Sequence, residues 1–280
     1  IDCVLDLHEN YPAMIEDQKK SKNMNFKQKI ISFISFVNSW KAYEKKMIQK
    51  FDKIIVVVDE AKSRIQEFNP VAKISVVPNY HNEHYDLSEK YAETKSPINF
   101  SYIGGFDNTR DIETIIYAFN KIADLNFKFK LNLIGADSNY LGIINKIASI
   151  ELKKSLIVEK WLSRKDAEYF LESTDIGLVP HKVSDHTNST IPHKIFQYMA
   201  NGLMVLSSNC IPLQRIINDA ECGKVYEAED IDSLFLILKE LFEDPASISK
   251  MKKNAYSSSI SKYTWGASEL ELFNMYRDIE

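Results

Sequence analysis

The sequence predicts an α/β protein built on parallel sheets, and three observations predict it. Short β-branched runs alternate with amphipathic helical stretches along the chain, which is the rhythm of strand–helix–strand units. The runs are mainly apolar and lie between helices, which implies parallel sheets covered on both faces. A polar segment, His81–Pro97, interrupts the rhythm and sets a boundary near residues 82–98. At 280 residues the chain has room for one large or two modest domains. Its 45% hydrophobic and 26% charged content excludes disordered, collagen-like and coiled-coil classes.

The first part holds strand runs at Cys3–Leu7, Lys53–Val58 and Ile74–Val77. Ile1 to Leu7 reads as a buried strand. Three strands are few for a doubly wound domain. The second part holds runs at Asn99–Gly104, Lys130–Ile134, Leu156–Val158, Ile176–Val179, Met204–Ser207 and Lys224–Tyr226. Asp111–Ala123 and Asp230–Phe242 read as covering helices. Asp230-Ile231-Asp232 is a D-x-D that opens a helix, so it reads as a cap before it reads as a metal ligand. Gly266–Glu280 reads as a final helix with Leu270, Leu272, Phe273, Tyr276 and Ile279 on its apolar side.

Net charge is -4 and the isoelectric point is about 5.9, so no global field attracts nucleic acid. Cys3, Cys210 and Cys222 are odd in number and far apart, which speaks against a disulfide framework or cysteine zinc site and for a reducing cytoplasm. No apolar run is long enough to span a bilayer. Glu16–Lys50 carries nine lysines and three acidic residues, a balance of +6, interleaved with Phe26, Ile30, Ile31, Phe33, Ile34, Phe36, Val37 and Trp40. Two readings stand for this basic 19–50 region: a helix with its apolar face on the sheet, or an element that also rests on a membrane surface.

Two helix starts break an electrostatic rule. A helix N-terminus carries partial positive charge and disfavours cations in its first turn unless an anion is present. After the strand ending in Gly104-Gly105, a helix is expected near Asn108-Thr109 with Arg110 in its opening turn. At Ser189-Thr190-Ile191-Pro192, Ser or Thr as cap and Pro in the first turn mark a second start, yet His193 and Lys194 follow at once. Both starts come after strands of the second part, whose carboxyl ends line the ligand crevice of a doubly wound sheet. Two cations there suit a diphosphate. Asp6-Leu7-His8-Glu9 closes the first strand at the same kind of position. It reads either as a site cluster, with His8 orienting substrate and Glu9 beside it, or as a strand-end turn. His181, His186 and His193 match no zinc spacing.

The string Thr190-Ile191-Pro192-His193-Lys194-Ile195-Phe196-Gln197-Tyr198-Met199-Ala200-Asn201-Gly202, followed by Met204–Ser208, resembles the P-x-K-x-F-E-Y-M-A-x-G-x-P-V-I-x-S segment of family-4-like glycosyltransferases of the GT-B fold. Other pieces follow in that family's order. Asp6–Glu9 resembles its D-x-H-E, Val77-Pro78-Asn79 its I-P-N, Tyr102–Ile112 its Y-x-G donor loop with Arg, Ile134–Asp137 its I-G-x-G, and Asp175–Pro180 its A-D-I-G-L-x-P. The resemblance implies two Rossmann-like domains facing a cleft. Residues 1–96 would be a partial acceptor-side domain, 97–264 the nucleotide-sugar domain, and 265–280 a helix crossing back.

The resemblance also implies roles. Arg110 and Lys194 would neutralise the donor's diphosphate, with Gly104, Gly105, Ser189, Thr190 and Glu9 around the substrate and His8 at the transferred sugar. Gln197 stands where the family has a ribose-binding Glu, and Ser189 where it has another acidic residue; an amide accepts without charge assistance. The implied reaction moves a sugar from a nucleoside diphosphate to a hydroxyl of a glycan or lipid-linked acceptor, with retention, with no metal and with no cofactor beyond the donor. The cysteine usage places the chain in the cytoplasm, with contact to the inner face of a membrane as the alternative that the basic region leaves open. An inactive nucleotide-sugar-binding or partner protein, and a sugar-nucleotide epimerase, are the alternative readings. Because the D-x-H-E strand comes first, the chain is expected to be a fragment with an exposed sheet edge at Cys3–Leu7.

Overall fold

The computed structural model describes residues 3–19, 37–82, 94 and 96–277. Among them nine strands, all parallel to their neighbours, form two sheets. The first sheet has the order β1 (Val4–Leu7), β2 (Lys53–Val56), β3 (Lys73–Val76). The second uses β4 (Ile98–Ile103), β5 (Phe129–Ile134), β6 (Leu156–Glu159), β7 (Ile176–Val179), β8 (Met204–Ser208) and β9 (Gly223–Tyr226), in the order β6-β5-β4-β7-β8-β9. Strand order therefore reverses between β4 and β7, and the crevice of such a sheet opens beyond the carboxyl ends of those two strands.

The apolar strand runs do what both-face burial requires. Met204 and Leu206 join the cluster on one face of the second sheet while Val205 joins the cluster on the other, because successive side chains alternate. The first face is covered by α4 (Ile112–Ala123) and α10 (Ile231–Glu243), whose buried residues fall at helical spacing: Ile112, Ile115, Ile116, Phe119 and Ile122, then Leu234, Leu238 and Leu241. Asp230 caps α10 by accepting from the N–H groups of Asp232 and Ser233, both at 2.9 Å. The second face is covered by α8 (Lys194–Ala200), α9 (Ile211–Ala220) and α11 (Pro245–Ser261). That cluster continues into the first sheet through Ile54, Val56 and Ile65 of α3 (Asp59–Phe68).

Several expectations are corrected. β1 is half-buried rather than buried, because it is an edge strand with one neighbour. The last helix, α12 (Trp265–Arg277), lies against β3 and buries Ser268 and Met275, while Leu270, Phe273 and Tyr276 are exposed. Leu272 is the expected apolar residue that packs with Ile55 and Val77. Ile279 lies outside the described residues, as do Ile1, residues 20–36 of the basic region and most of the boundary segment. In the described part of that region, α2 (Val37–Ile48) follows α1 (Tyr11–Lys19) and buries only Ile48. Trp40 stacks edge-on between Tyr11 and Tyr43 at 5.2 and 5.9 Å, and all three rings are exposed. No described helix is long and apolar enough to cross a membrane.

Candidate functional site

Both predicted helix starts are displaced, and the displacement builds the site. After β4 the chain turns at Asp107, whose carboxylate accepts from the Thr109 N–H and hydroxyl at 2.7 and 2.6 Å. α4 begins only at Ile112, so Arg110 precedes the helix instead of opening it. Arg110 instead forms an antiparallel bridge with His181, the second residue after β7. Asp111 N–H donates to the Pro180 carbonyl at 2.6 Å and Lys182 N–H to the Thr109 carbonyl at 2.9 Å. These bonds prolong the seam between β4 and β7 past the sheet, into the crevice at the point of strand reversal.

The second start is displaced in the same direction. Neither Ser189 nor Thr190 caps α8, whose N-cap residue is His193 without a side-chain cap. The buried Ser189 hydroxyl turns back to the carbonyls of Asp185 and His186, at 2.6 and 3.1 Å. Thr190 instead reaches across to the His8 carbonyl at 3.5 Å. Lys194 thus becomes the first helical residue.

The two cations converge on one tyrosine. The Lys194 ammonium lies 3.9 Å from the centre of the Tyr102 ring, a cation–π contact. The Tyr102 hydroxyl donates to the Gly105 carbonyl at 2.7 Å, and Arg110 bears on the same phenol. Lys194 keeps partial surface exposure along its chain. Burial first, and the Arg110 guanidinium second, hold its pKa well below the ordinary lysine value. Arg110 lies 3.8 Å from Asp107 and donates to the Thr109 hydroxyl at 2.6 Å, so the fold does not neutralise it fully.

Gly104 makes room for this arrangement. Its φ of +149° suits glycine, and a Cβ there would lie 2.6 Å from the Lys194 ammonium. Gly135, at φ +110°, packs against the Gly104 carbonyl so closely that any side chain would collide with it. Gly105 faces open space. Gln197 lies one turn after Lys194 on α8 and is partly exposed.

The first sheet brings its cluster to the same side. His8 Nε2 is 3.1 Å from an Asp6 carboxylate oxygen, and Asn79 Nδ2 is 3.2 Å from His8 Nδ1. Both imidazole nitrogens are thus engaged, and the Asn79 amide arrives from the Val77-Pro78-Asn79 turn. Glu9 lies 3.5 Å from His186 Nδ1 on the opposite half. Asp17 accepts from the Ser184 hydroxyl at 2.6 Å. Between the halves lies a cleft of about 660 Å³ with Ala13 and Asp17 on one wall and Arg110, Tyr140, Lys182 and Glu229 on the other. Among the described residues no group of three His, Cys, Asp or Glu side chains is placed to hold a metal ion.

His181 and Asn79 were not singled out as site residues by sequence reasoning. For Asn79 a signal existed in the I-P-N piece. For His181 the only signal was its position just after Val179-Pro180.

The family model described as glycosyl transferases group 1 matches residues 85–258. No curated protein sequence matches the chain. Among solved structures, sucrose-phosphate synthase from Thermosynechococcus elongatus aligns with a TM-score of 0.72 at 16% identity, over 99% of this chain and 67% of that one. WaaG, a glycosyltransferase involved in lipopolysaccharide biosynthesis, aligns at 0.67 and 15%, over 97% and 74%. HepE of Anabaena, in complex with UDP, aligns at 0.70 and 11%, over 99% and 72%. The chain spans 50% of the length of TarM, another match at 0.71 and 14%, covering 99% of this chain. At such identities the likeness is one of fold, and the fold is the GT-B arrangement.

Proposed function

The chain belongs to the group 1 glycosyl transferases, and from that premise we propose that it transfers a sugar from a nucleoside-diphosphate donor to a hydroxyl of a glycan or lipid-linked acceptor. The observation that carries this reading is the meeting of Arg110 and Lys194 around Tyr102, at the crevice where strand order reverses. As the glycosidic bond to the donor breaks, charge grows on the leaving diphosphate. Fixed cations aimed at that position stabilise the transition state more than the ground state. Lys194, whose ammonium is disfavoured by burial and by Arg110, is restored to full charge by an arriving anion. With two cations at the leaving group, the chemistry proceeds without a metal and, as in the resembling family, with retention.

His8 is the residue proposed to face the transferred sugar, held by Asp6 and Asn79. Glu9, Gly104, Gly105, Ser189, Thr190 and Gln197 surround the substrate. The acceptor enters from the side of the first sheet. There α2 carries exposed Trp40 and Tyr43 beside Lys41, Lys45 and Lys46, an aromatic and basic surface suited to a membrane on the cytoplasmic side. Gln197 favours one second reading, donor binding without transfer, because a neutral amide holds a ribose less firmly than a carboxylate.

A thermal-shift screen with UDP-, GDP-, ADP- and dTDP-sugars tests donor binding, since a ligand bound only by the native state raises its melting temperature. UDP-sugars lead the panel because HepE was solved with UDP. At least one donor raises the transition, and an acceptor-dependent product follows. A shift with neither an acceptor-dependent product nor conversion of the free nucleotide sugar supports the second reading, and no shift from any donor refutes both.

A further inference from the structure

Arg110 and Lys194 share a neighbour whose chemistry is unspent. His181 sits opposite Arg110 in the bridge beyond β4 and β7. The flanking bonds, Asp111 N–H to Pro180 and Lys182 N–H to Thr109, make this the narrow, non-hydrogen-bonded kind of antiparallel pair. In such a pair the two side chains leave the same side and come closest. The imidazole and the guanidinium therefore stand together at the strand-reversal crevice.

The imidazole is 3% exposed. The backbone N–H of His181 is satisfied by the Ser208 hydroxyl at 3.1 Å, but the buried Nε2 has no hydrogen-bond partner, and neither has the buried Nε of Arg110. Buried polar groups left unpaired are few in folded proteins and each is costly. Arg110 Nε and the Lys194 ammonium can only donate, and so can His181 Nε2 in the tautomer that carries its proton there, so these groups cannot satisfy one another. What is missing is an acceptor with several oxygens, able to take hydrogen bonds from Arg110, Lys194 and an imidazole together.

We propose that His181 is a third binding residue for the donor's diphosphate, its imidazole N–H donating to a phosphate oxygen held also by Arg110 and Lys194. This rests on the donor-site reading above. Burial first, then Arg110 and Lys194, keep the ring neutral near pH 7. His181 thus adds a directed hydrogen bond without adding a third positive charge, and it fixes which oxygens the two cations share.

The test uses the whole chain and titration calorimetry with UDP, GDP and ADP, with uridine as a control lacking phosphate. The variants are His181→Phe, His181→Asn and Arg110→Ala. For whichever nucleotide the wild type binds, His181→Phe weakens affinity by about ten- to a hundredfold, the worth of a hydrogen bond to a charged group. Its ligand-free melting temperature stays at or above the wild-type value, because an unpaired buried nitrogen has been removed. His181→Asn, which keeps an N–H donor, recovers part of the affinity, and uridine binding is the same in all.

Wild-type affinity in His181→Phe, with Arg110→Ala impaired, overturns the proposal and leaves the donor site standing. Loss of affinity in step with loss of ligand-free stability in both His181 variants also overturns it. Absence of binding by the wild type to any of the three nucleotides removes the donor-site reading and this proposal together.

Discussion

Lys194 is a charged group that the folded protein pays to hold. Its pKa is lowered by burial and by Arg110, so the unfolded chain keeps this proton to higher pH than the native one does. The sign follows: from the native pKa up to the unfolded value, stability rises with pH, and below the native pKa the penalty is present in full. Lys194→Met removes the penalty and keeps the volume. The ligand-free variant is expected to melt about 2–4 °C higher at neutral pH, corresponding to about 1 kcal/mol, and calorimetric scans from pH 7 to 10 should show the two proteins converging. Transfer is lost in the same variant. Arg110→Ala likewise abolishes transfer with the fold intact, and full turnover by either variant refutes the site assignment. Gly104→Ala puts a methyl group 2.6 Å from the Lys194 ammonium, and weaker nucleotide binding is the expected result in the same titration. Arg110 and Lys194 were legible in the sequence because cations are out of place near helix starts, and because Lys194 lies in a long motif. His181 was weighed only as a metal ligand, because its pairing with Arg110 and its unpartnered Nε2 exist only once β7 and the segment after β4 are side by side.

At the scale of elements, the nine strands were legible because each is a short, mainly apolar and β-branched run between helical stretches. The starts read at Asp111 and Asp230 match the structure, while those read at Asn108-Thr109 and at Ser189–Pro192 are displaced by a few residues. The turn at Asp107, tied by its own carboxylate to Thr109, delays α4, and a capping serine is diverted to Asp185 and His186. The buried face of α12 was misread because Leu270, Phe273 and Tyr276 repeat at a helical interval, while contact with β3 selects the stripe of Ser268, Leu272 and Met275. One tie between elements was invisible in sequence. Lys252 of α11 is 6% exposed and donates to Asp175 at 2.9 Å, while the other Asp175 oxygen accepts from the Asn99 N–H at 3.0 Å. This pair fastens α11 to the start of both central strands. Lys252→Met leaves a carboxylate with little water access and no counter-charge, so the expected loss is about 3–5 kcal/mol. Urea unfolding measures it, and a loss below 1 kcal/mol would show that the pair is effectively solvated.

At the scale of the whole molecule, the two sheets share one apolar cluster, which runs through Ile54, Val56 and Ile65 and has an aromatic joint at its edge. Tyr80, just after β3, packs edge-on against Phe196 of α8 at 4.7 Å and against Tyr263 at 5.5 Å. Around this joint lie polar ties: Arg215 of α9 to Glu60 of α3 at 2.8 and 3.0 Å, and the Ser268 hydroxyl to the Pro78 carbonyl at 2.7 Å. The Arg215 pair is bidentate and half-buried on the Glu60 side, so it adds to a joint that rests mainly on apolar packing. It lies on α8, which also carries Lys194, and next to the turn that carries Asn79 and so orients His8. Coupling between the sheets therefore sets the distance between the proposed diphosphate site and the proposed sugar site. The three-stranded sheet has only the small cluster of Ile55, Val77 and Met275 apart from the one it shares with the six-stranded half, so it depends on the shared contact more than the six-stranded sheet does. Tyr80→Ala removes the central ring, and differential scanning calorimetry should show the wild type unfolding in one transition and the variant in two, the first from the three-stranded half. The variant should still bind the nucleotide, since Arg110, Lys194 and Tyr102 stand on the six-stranded half, but transfer should fall because His8 no longer holds its place across the cleft. A single transition in Tyr80→Ala with unchanged turnover would mean that the rest of the shared cluster, with the Arg215–Glu60 pair, couples the sheets without the Tyr80 ring.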